Sequence, residues 1–477
     1  MEIIDIPLEN RADPEDLRSF LEACRAAAAE DGQDKIASIC LKVKHIDPLA
    51  VLDSIYEGEA HHYYMENRFH GWALAGAEAV VARTWKGPDR FREARDFADN
   101  LTRNTIAIGD MSLPFSGPLF FGGFSFFDEM ETDHASFPAA MLFVPQWQVA
   151  KDGKQYVAVA NVLVGPDTDV GSIAGRIWSA HEKFTTFSYD KPPAPPVYHI
   201  LEENEVGGEN SFQGNVQKAL GKIKDGAYRK IVLSRALDLV FDNPCNPLKI
   251  LNRLRQDYPS CHCFSLQHES GTSFIGATPE RLVSVQDGNF QTEAIAGSIA
   301  RDADASEDAR LASQLLSSEK DLREHELVVE SIRKRLAELG VEASIESEPG
   351  LLVLSNVQHL HTPVTGKMPE GLHILDMAER LHPTPAVGGT PREAVVDDIA
   401  EWEPFSRGLF AGITGWFDTR GNGEFAVGIR SALAHGTSAR LYAGAGIVNG
   451  SEPESEFRET SIKMEALLRC IRGGQGT

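Results

Sequence analysis

Long apolar runs are what this sequence most clearly lacks. No stretch reaches the roughly 18 apolar residues that a membrane-crossing helix needs, and Met1 to Ala50 holds no basic start leading into an apolar core. Neither a membrane span nor a secretion signal is therefore expected, and a cytoplasmic protein is the default reading. Basic charge is short as well: 46 Lys and Arg stand against 70 Asp and Glu, a formal net charge of −24. Nucleic acid and anionic membrane both call for clustered Lys and Arg, so neither is expected as a partner. A small molecule is the more natural ligand, and it can be an anion if local basic groups or a metal supply positive potential. Cysteine is sparse. Cys24, Cys40, Cys245, Cys261, Cys263 and Cys470 show no paired zinc spacing, and 477 residues with 42% hydrophobic content bury a core without disulfides. Cys261-His262-Cys263 runs on into Phe264-Ser265-Leu266, which reads as a strand with alternating buried thiols.

What is present concentrates in Tyr442 to Lys463, a glycine-spaced strand leading straight into an acidic helix start. Ser451 followed by Glu454 reads as a capping box, and Pro453 falls where a first-turn proline is tolerated. In that helical phase Glu456, Glu459 and Lys463 fall within about 60° of one another, beside an apolar stripe of Phe457, Met464, Leu468 and Ile471. Upstream, Leu311, Leu315, Leu322, Val329, Ile332 and Leu336 give one helical rhythm across Glu307 to Leu339, with Asp321 and Glu324 three apart on it. An isolated acidic helix face is ordinarily just solvated; two such faces raise a different question. If they converge, like charges about 5 Å apart repel by roughly 3 kcal/mol at an effective dielectric of about 20, so a cation between them is expected. Carboxylate oxygens favour Mg²⁺.

Along the rest of the chain, residues 13–30 read as a surface helix, and His70 to Thr84 as strand material with Gly71 and Gly76 as bends. Met141 to Val164 reads as a hairpin turning at Asp152-Gly153. Phe-rich Gly117 to Asp128 is echoed by Gly408 to Asp418, which suggests two sheet-rich halves related by pseudo-symmetry. Lys191-Pro192-Pro193-Ala194-Pro195-Pro196 reads as a stiff spacer. The expected organisation is a scaffold half over 1–190, a Pro-rich connector over 191–200 and a catalytic half over 201–477. Lys230 opens a buried strand, and Glu280 follows an extended pre-proline residue ahead of a hairpin over Arg281 to Ser298 turning at Asp287-Gly288. Taken alone, Lys230 reads as a snorkelling lysine and Glu280 as a surface acid; they matter only as a pair.

Together, Lys230 to Arg235, Gly276 to Arg281, Ala294 to Ser298, Ser318 to Glu326, Val357-Gln358-His359-Leu360, His382 to Val387, Gly428-Ile429-Arg430 and Tyr442 to Lys463 resemble, in that order, the chorismate-utilising enzymes. This group includes isochorismate, salicylate, anthranilate and aminodeoxychorismate synthases. The resemblance covers about residues 210–470 strongly and the N-terminal part loosely. It implies an α+β fold of two large stacked antiparallel sheets flanked by helices, as in anthranilate synthase component I, with pseudo-two-fold halves.

The resemblance also implies roles. Glu324 and Glu459 would bind Mg²⁺ directly, with Asp321 and Glu456 holding metal-bound water. Arg430, Lys463 and the backbone around Gly444, Ala445 and Gly446, with Gly297 and Ser298 nearby, would grip the carboxylates of chorismate. His359, Thr384 and Ala386 would line the ring site, with Lys230 as general base and Glu280 as general acid. Ammonia-using relatives carry Gln where this chain has Lys230, and aminodeoxychorismate synthases commonly carry a nucleophilic Lys where it has Ala296. Salicylate synthases typically have Thr in place of Ala386 and Tyr in place of Phe410. These positions imply an isochorismate synthase, serving menaquinone or a catechol siderophore, and the long N-terminal region resembles menaquinone-pathway relatives more. No glutaminase segment is seen and no glutaminase subunit is expected; a monomer or homodimer is the expected state. The alternatives are a salicylate-forming or amino-transferring relative and a non-catalytic chorismate-binding protein.

Overall fold

Strands buried along most of their length, on both faces, and tight glycine turns build most of the molecule. The computed structural model describes residues 1–4, 14–55, 60–129, 137–185, 197–269, 271–354 and 357–473. The Pro-rich spacer at 191–196 lies outside the described residues. Class and pairing are α+β and overwhelmingly antiparallel; Glu2–Ile4 and Lys35–Lys42 are parallel partners of Thr105–Ile108. The expected hairpins form: Ala140–Asp152 with Gln155–Val164, and Arg281–Gln286 with Asn289–Ala300. The second turns on Asp287 and Gly288, both at positive φ, the backbone that Asp-Gly supplies at least strain. No described helix is long and apolar enough to cross a membrane.

The strands form one hydrogen-bonded ribbon. From Lys230–Phe241 the pairings run through Ser438–Ile447, Ser431–His435, Ser273–Thr278 and His262–Gln267. They continue through His62–Asn67, Trp72–Trp85, Ala140–Asp152 and Leu119–Phe124. The far end is reached through Ile413–Asp418, Gly423–Val427, Arg281–Gln286, Asn289–Ala300 and Val357–Lys367. Strands from both sides of residue 190 thus share one network. The two echoing segments are direct neighbours: Leu119–Phe124 pairs antiparallel with Ile413–Asp418, Gly122 facing Gly415. A Cβ on Gly122 would lie 1.9 Å from Met141 O and one on Gly415 2.2 Å from Glu424 O, so the repeated glycines allow the strands to close up.

Three local expectations need correction. The rhythm over Glu307 to Leu339 is two helices, Ala305–Ser317 and Glu319–Glu338. Ser318 breaks it by taking an extended backbone and accepting the Asp321 N–H on its Oγ at 3.3 Å, a local bond that competes with helix continuation. The C-terminal helix, Pro453–Arg472, is capped at Glu452 rather than Ser451. A turn through Gly450, at φ +92°, folds Ser451 back so that its Oγ accepts from Val448 N instead. Gly76 is not a bend: it lies inside the strand Trp72–Trp85, where a Cβ would meet Phe121 at 2.4 Å.

Candidate active site

The two ends of the strand ribbon meet around a cavity of about 370 Å³. One wall comes from Lys230–Phe241 and Ser438–Ile447, the other from Asn289–Ala300 and Val357–Lys367. The helix starts at Ser318 and Glu452 close it. Side chains alternate along Lys230–Phe241, so Lys230, Val232 and Ser234 face the cavity while Ile231 and Leu233 enter the core. Beyond Leu441 the outer edge of Ser438–Ile447 has no strand partner among the described residues. That opening leaves backbone groups of the glycine stretch toward the cavity. Arg430 sits at the divergence, its φ of +51° being a conformation rarely taken by a side-chain-bearing residue, and it lines the cavity.

Each acid pair begins in the first turn of its helix, with Asp321 and Glu456 where unpaired backbone N–H groups favour negative charge and Glu324 and Glu459 about one turn further on. Asp321 and Glu324 arrive on one helix and Glu456 and Glu459 on the other, and all line the cavity. Lysines sit against the acids. Lys230 Nζ is 2.8 Å from Glu324 Oε1, Lys320 Nζ 3.5 Å from Glu456 Oε1 and Lys463 Nζ 2.6 Å from Glu459 Oε1. Among the described residues no three acids, imidazoles or thiols draw together as a metal-holding group. Negative charge still exceeds what the lysines offset. Burial, with Glu324 adding, pushes the Asp321 carboxyl up despite its bond to Ser318, and burial with Glu459 does the same to Glu456. Burial works to raise Glu459 too, but the Lys463 ammonium holds it below the usual range.

The opposite wall carries a bulge. Ala296 faces Leu360 and Ser298 faces His359, leaving Gly297 as the extra residue at φ +76°. A Cβ there would lie 3.0 Å from Asp321 Cβ. The bulge sets Ser298 Oγ 2.8 Å from His359 Nδ1. Burial, reinforced by Arg430 and Lys463, lowers the His359 pKa to about 3, so its ring is neutral. Glu280 is 5% exposed and lines the cavity. Burial pushes its carboxyl up to about 7, although Thr384 Oγ1 donates to it at 3.3 Å. Ala386, Gly444 and Gly446 line the cavity as expected from the sequence, as do Gly297 and Ser298. Thr384 reaches it only through Glu280, and Ala445 packs its side chain into the core.

A cavity holding a buried lysine, a carboxyl pushed up to about 7, an arginine at positive φ and paired acids is matched at the level of the whole chain. The family model described as chorismate binding enzyme covers residues 19–472. The chain belongs to the chorismate-binding enzymes. It is 35% identical over 403 residues to isochorismate synthase MenF of Bacillus subtilis, spanning 83% of this chain and 84% of that protein. It is 31% identical over 460 residues to the salicylate biosynthesis isochorismate synthase of Pseudomonas aeruginosa, spanning 95% and 94%. Among solved structures, that of MenF, the menaquinone-specific isochorismate synthase from Escherichia coli, superposes with a TM-score of 0.75 at 25% identity. The match covers 94% of this chain and 99% of that one.

Besides Lys230, the other three positions at which the sequence resemblance points to one chemistry of the family over another also face the cavity. Ala296, Ala386 and Phe410 line it, and Phe410 stacks on Tyr442 with ring centroids 4.9 Å apart. Sequence reading missed Ser234 and Lys320 in the lining. Period-two alternation from Lys230 is the signal that would have found Ser234; nothing local marks Lys320. It also missed a buried brace. Arg407, 1% exposed, donates to Glu403 at 2.7 Å and to the carbonyls of Val387 and Val232 at 2.9 and 2.8 Å.

Proposed function

We propose that this chain is an isochorismate synthase, converting chorismate to isochorismate by adding water at ring carbon C2 and releasing the C4 hydroxyl. The observation that carries the reading is a buried lysine and a carboxyl near neutrality on one cavity that also holds Arg430 and Lys463. Lys230 takes a proton as water's oxygen bonds to C2. Both conjugated ring double bonds shift by one position, from C1=C2 and C5=C6 to C1=C6 and C4=C5, the C4–O bond breaks, and Glu280 gives its proton to the departing hydroxyl, so one water enters and one leaves. A carboxyl pushed up to about 7 is protonated often enough near neutral pH to act as that acid. Lys230 is 1% exposed and is held in place by its ion pair with Glu324 at 2.8 Å.

Arg430 and Lys463 meet the substrate's carboxylates, Arg430 with a planar fork suited to two oxygens. Gly444 and Gly446 keep the wall low enough for the ring to approach. His359 and Ala386 border the ring, and Thr384 orients Glu280. The donor set fits Mg²⁺: all-oxygen, acidic beyond what the neighbouring lysines offset, and raised in pKa at Asp321 and Glu456. Asp321, Glu324, Glu456 and Glu459 would hold it. When bound, Mg²⁺ supplies positive charge that stabilises the ring carboxylate as the hydroxyl leaves.

Residues 1–190 act as scaffold, since every cavity-lining side chain lies at Lys230 or beyond. The enzyme works in the cytoplasm without a glutaminase subunit, as a monomer or homodimer. Menaquinone biosynthesis is the favoured pathway, supported by the names of the Bacillus and Escherichia relatives. A salicylate or siderophore pathway is the second reading, supported by the Pseudomonas relative. Chromatography of products from purified protein given chorismate and Mg²⁺ without ammonia tests the chemistry. Isochorismate without pyruvate is expected, lost on chelation and restored by Mg²⁺. Salicylate with pyruvate, a need for ammonia, or untouched chorismate would overturn it.

A further inference from the structure

We propose that the Ser234 hydroxyl is a substrate ligand, donating a hydrogen bond to a carboxylate oxygen of the bound dianion beside Lys463. The inference rests on the chorismate reading above. Ser234 is 4% exposed, lines the cavity, and its Oγ is among the buried polar atoms with no hydrogen-bond partner. Buried hydroxyls are ordinarily satisfied, and one left without a partner is destabilising. A donor of this kind, facing the cavity, is satisfied when an acceptor arrives.

The surroundings fix both its position and the class of acceptor. Ser234 N–H donates to Glu403 Oε1 at 2.7 Å, where an adjacent strand would otherwise supply a carbonyl. Glu403 is held in turn by Arg407, which also ties down Val232 O two residues back. The hydroxyl therefore sits on a braced segment, with little reorganisation left for binding. Gly444 lies directly opposite in the ladder. A Cβ on Gly444 would stand 2.8 Å from Ser234 Oγ, so glycine keeps the hydroxyl reachable. Lys463 Nζ donates to Gly444 O at 2.9 Å, bringing an ammonium to the same strand position. A hydroxyl donor and an ammonium gathered at one open glycine suit an anionic oxygen better than a neutral hydroxyl or a ring face.

The alternative is that Ser234 is only a small residue filling space opposite Gly444. Steady-state kinetics on chorismate and thermal unfolding of Ser234→Ala separate the two. If the hydroxyl binds substrate, KM rises about tenfold, kcat stays within about twofold, and Tm holds or rises because an unpartnered buried hydroxyl is gone. A KM within about twofold of wild type overturns the inference. So does a fall in Tm with kcat and KM worsening together, the signature of a packing role. Wild-type protein that leaves chorismate untouched sinks the functional reading instead, and the two failures are read from different samples.

Discussion

Gly446→Ala separates the chemistry of the cavity from the stability of the fold. Gly446 lies in the strand Ser438–Ile447 opposite Val232, with none of the positive φ that excludes alanine. A Cβ there would lie 2.7 Å from Glu324 Oε1, 2.9 Å from Lys230 Cε and 3.3 Å from Lys230 Nζ. Ordinary contact needs about 3.5 Å or more, so the Lys230–Glu324 pair must give way by close to 1 Å. Both clashing groups are ends of flexible side chains, and displacing them off their rotamers costs about 1 kcal/mol. Replacing glycine where alanine fits the backbone returns about 0.4–1 kcal/mol through the unfolded chain. The net effect on stability is near zero, and Tm should move by no more than about 2 °C. Catalysis has no such tolerance. A base misplaced by about 1 Å is expected to lower kcat by roughly 10²-fold. Parallel measurement of kcat on chorismate and of Tm checks this. Activity within about threefold of wild type, or loss of cooperative folding, would refute the argument that this glycine serves the lysine rather than the strand.

Two further outcomes follow from the charges. The Glu280 carboxyl rises from 4.5 to about 7 on folding, so its contribution is fully present below 4.5 and is lost as pH climbs through 7. The loss amounts to at most roughly 3 kcal/mol. Urea unfolding of wild type and Glu280→Gln at several pH values should show wild type losing stability relative to the variant across that window; a constant difference would count against a buried, protonated carboxyl. For the metal, Glu459→Gln should weaken Mg²⁺ binding in calorimetry by roughly tenfold or more while Tm changes little. A collapsed Tm with Mg²⁺ affinity intact would assign Glu459 to the fold.

Much of the site was legible because helices and strands repeat over short distances. A period of 3.6 put Glu456, Glu459 and Lys463 on one face, and alternation put Lys230 on a buried strand. The family resemblance, rather than any spacing, linked those faces to one ligand. The errors at Ser318 and Ser451 have a common cause: a serine hydroxyl can bond any of several nearby backbone groups, and the choice depends on the turn around it. Ser318 took the Asp321 N–H and ended one helix to begin another; Ser451 was turned back onto Val448.

Periodicity and turn chemistry, both local, therefore determined the hairpins, the acidic helix faces and the strand bearing Lys230. Tertiary structure alone decided that the two ends of the ribbon face each other, that Lys230 pairs with Glu324 and Lys320 with Glu456, that Glu403 and Arg407 replace a missing strand, and that Ser234 stands without a partner. The division is physical. Backbone hydrogen bonds and side-chain period act within a few residues, whereas burial, ion pairing and the acidity of Glu280 depend on groups distant in the chain that meet only once the sheet has closed.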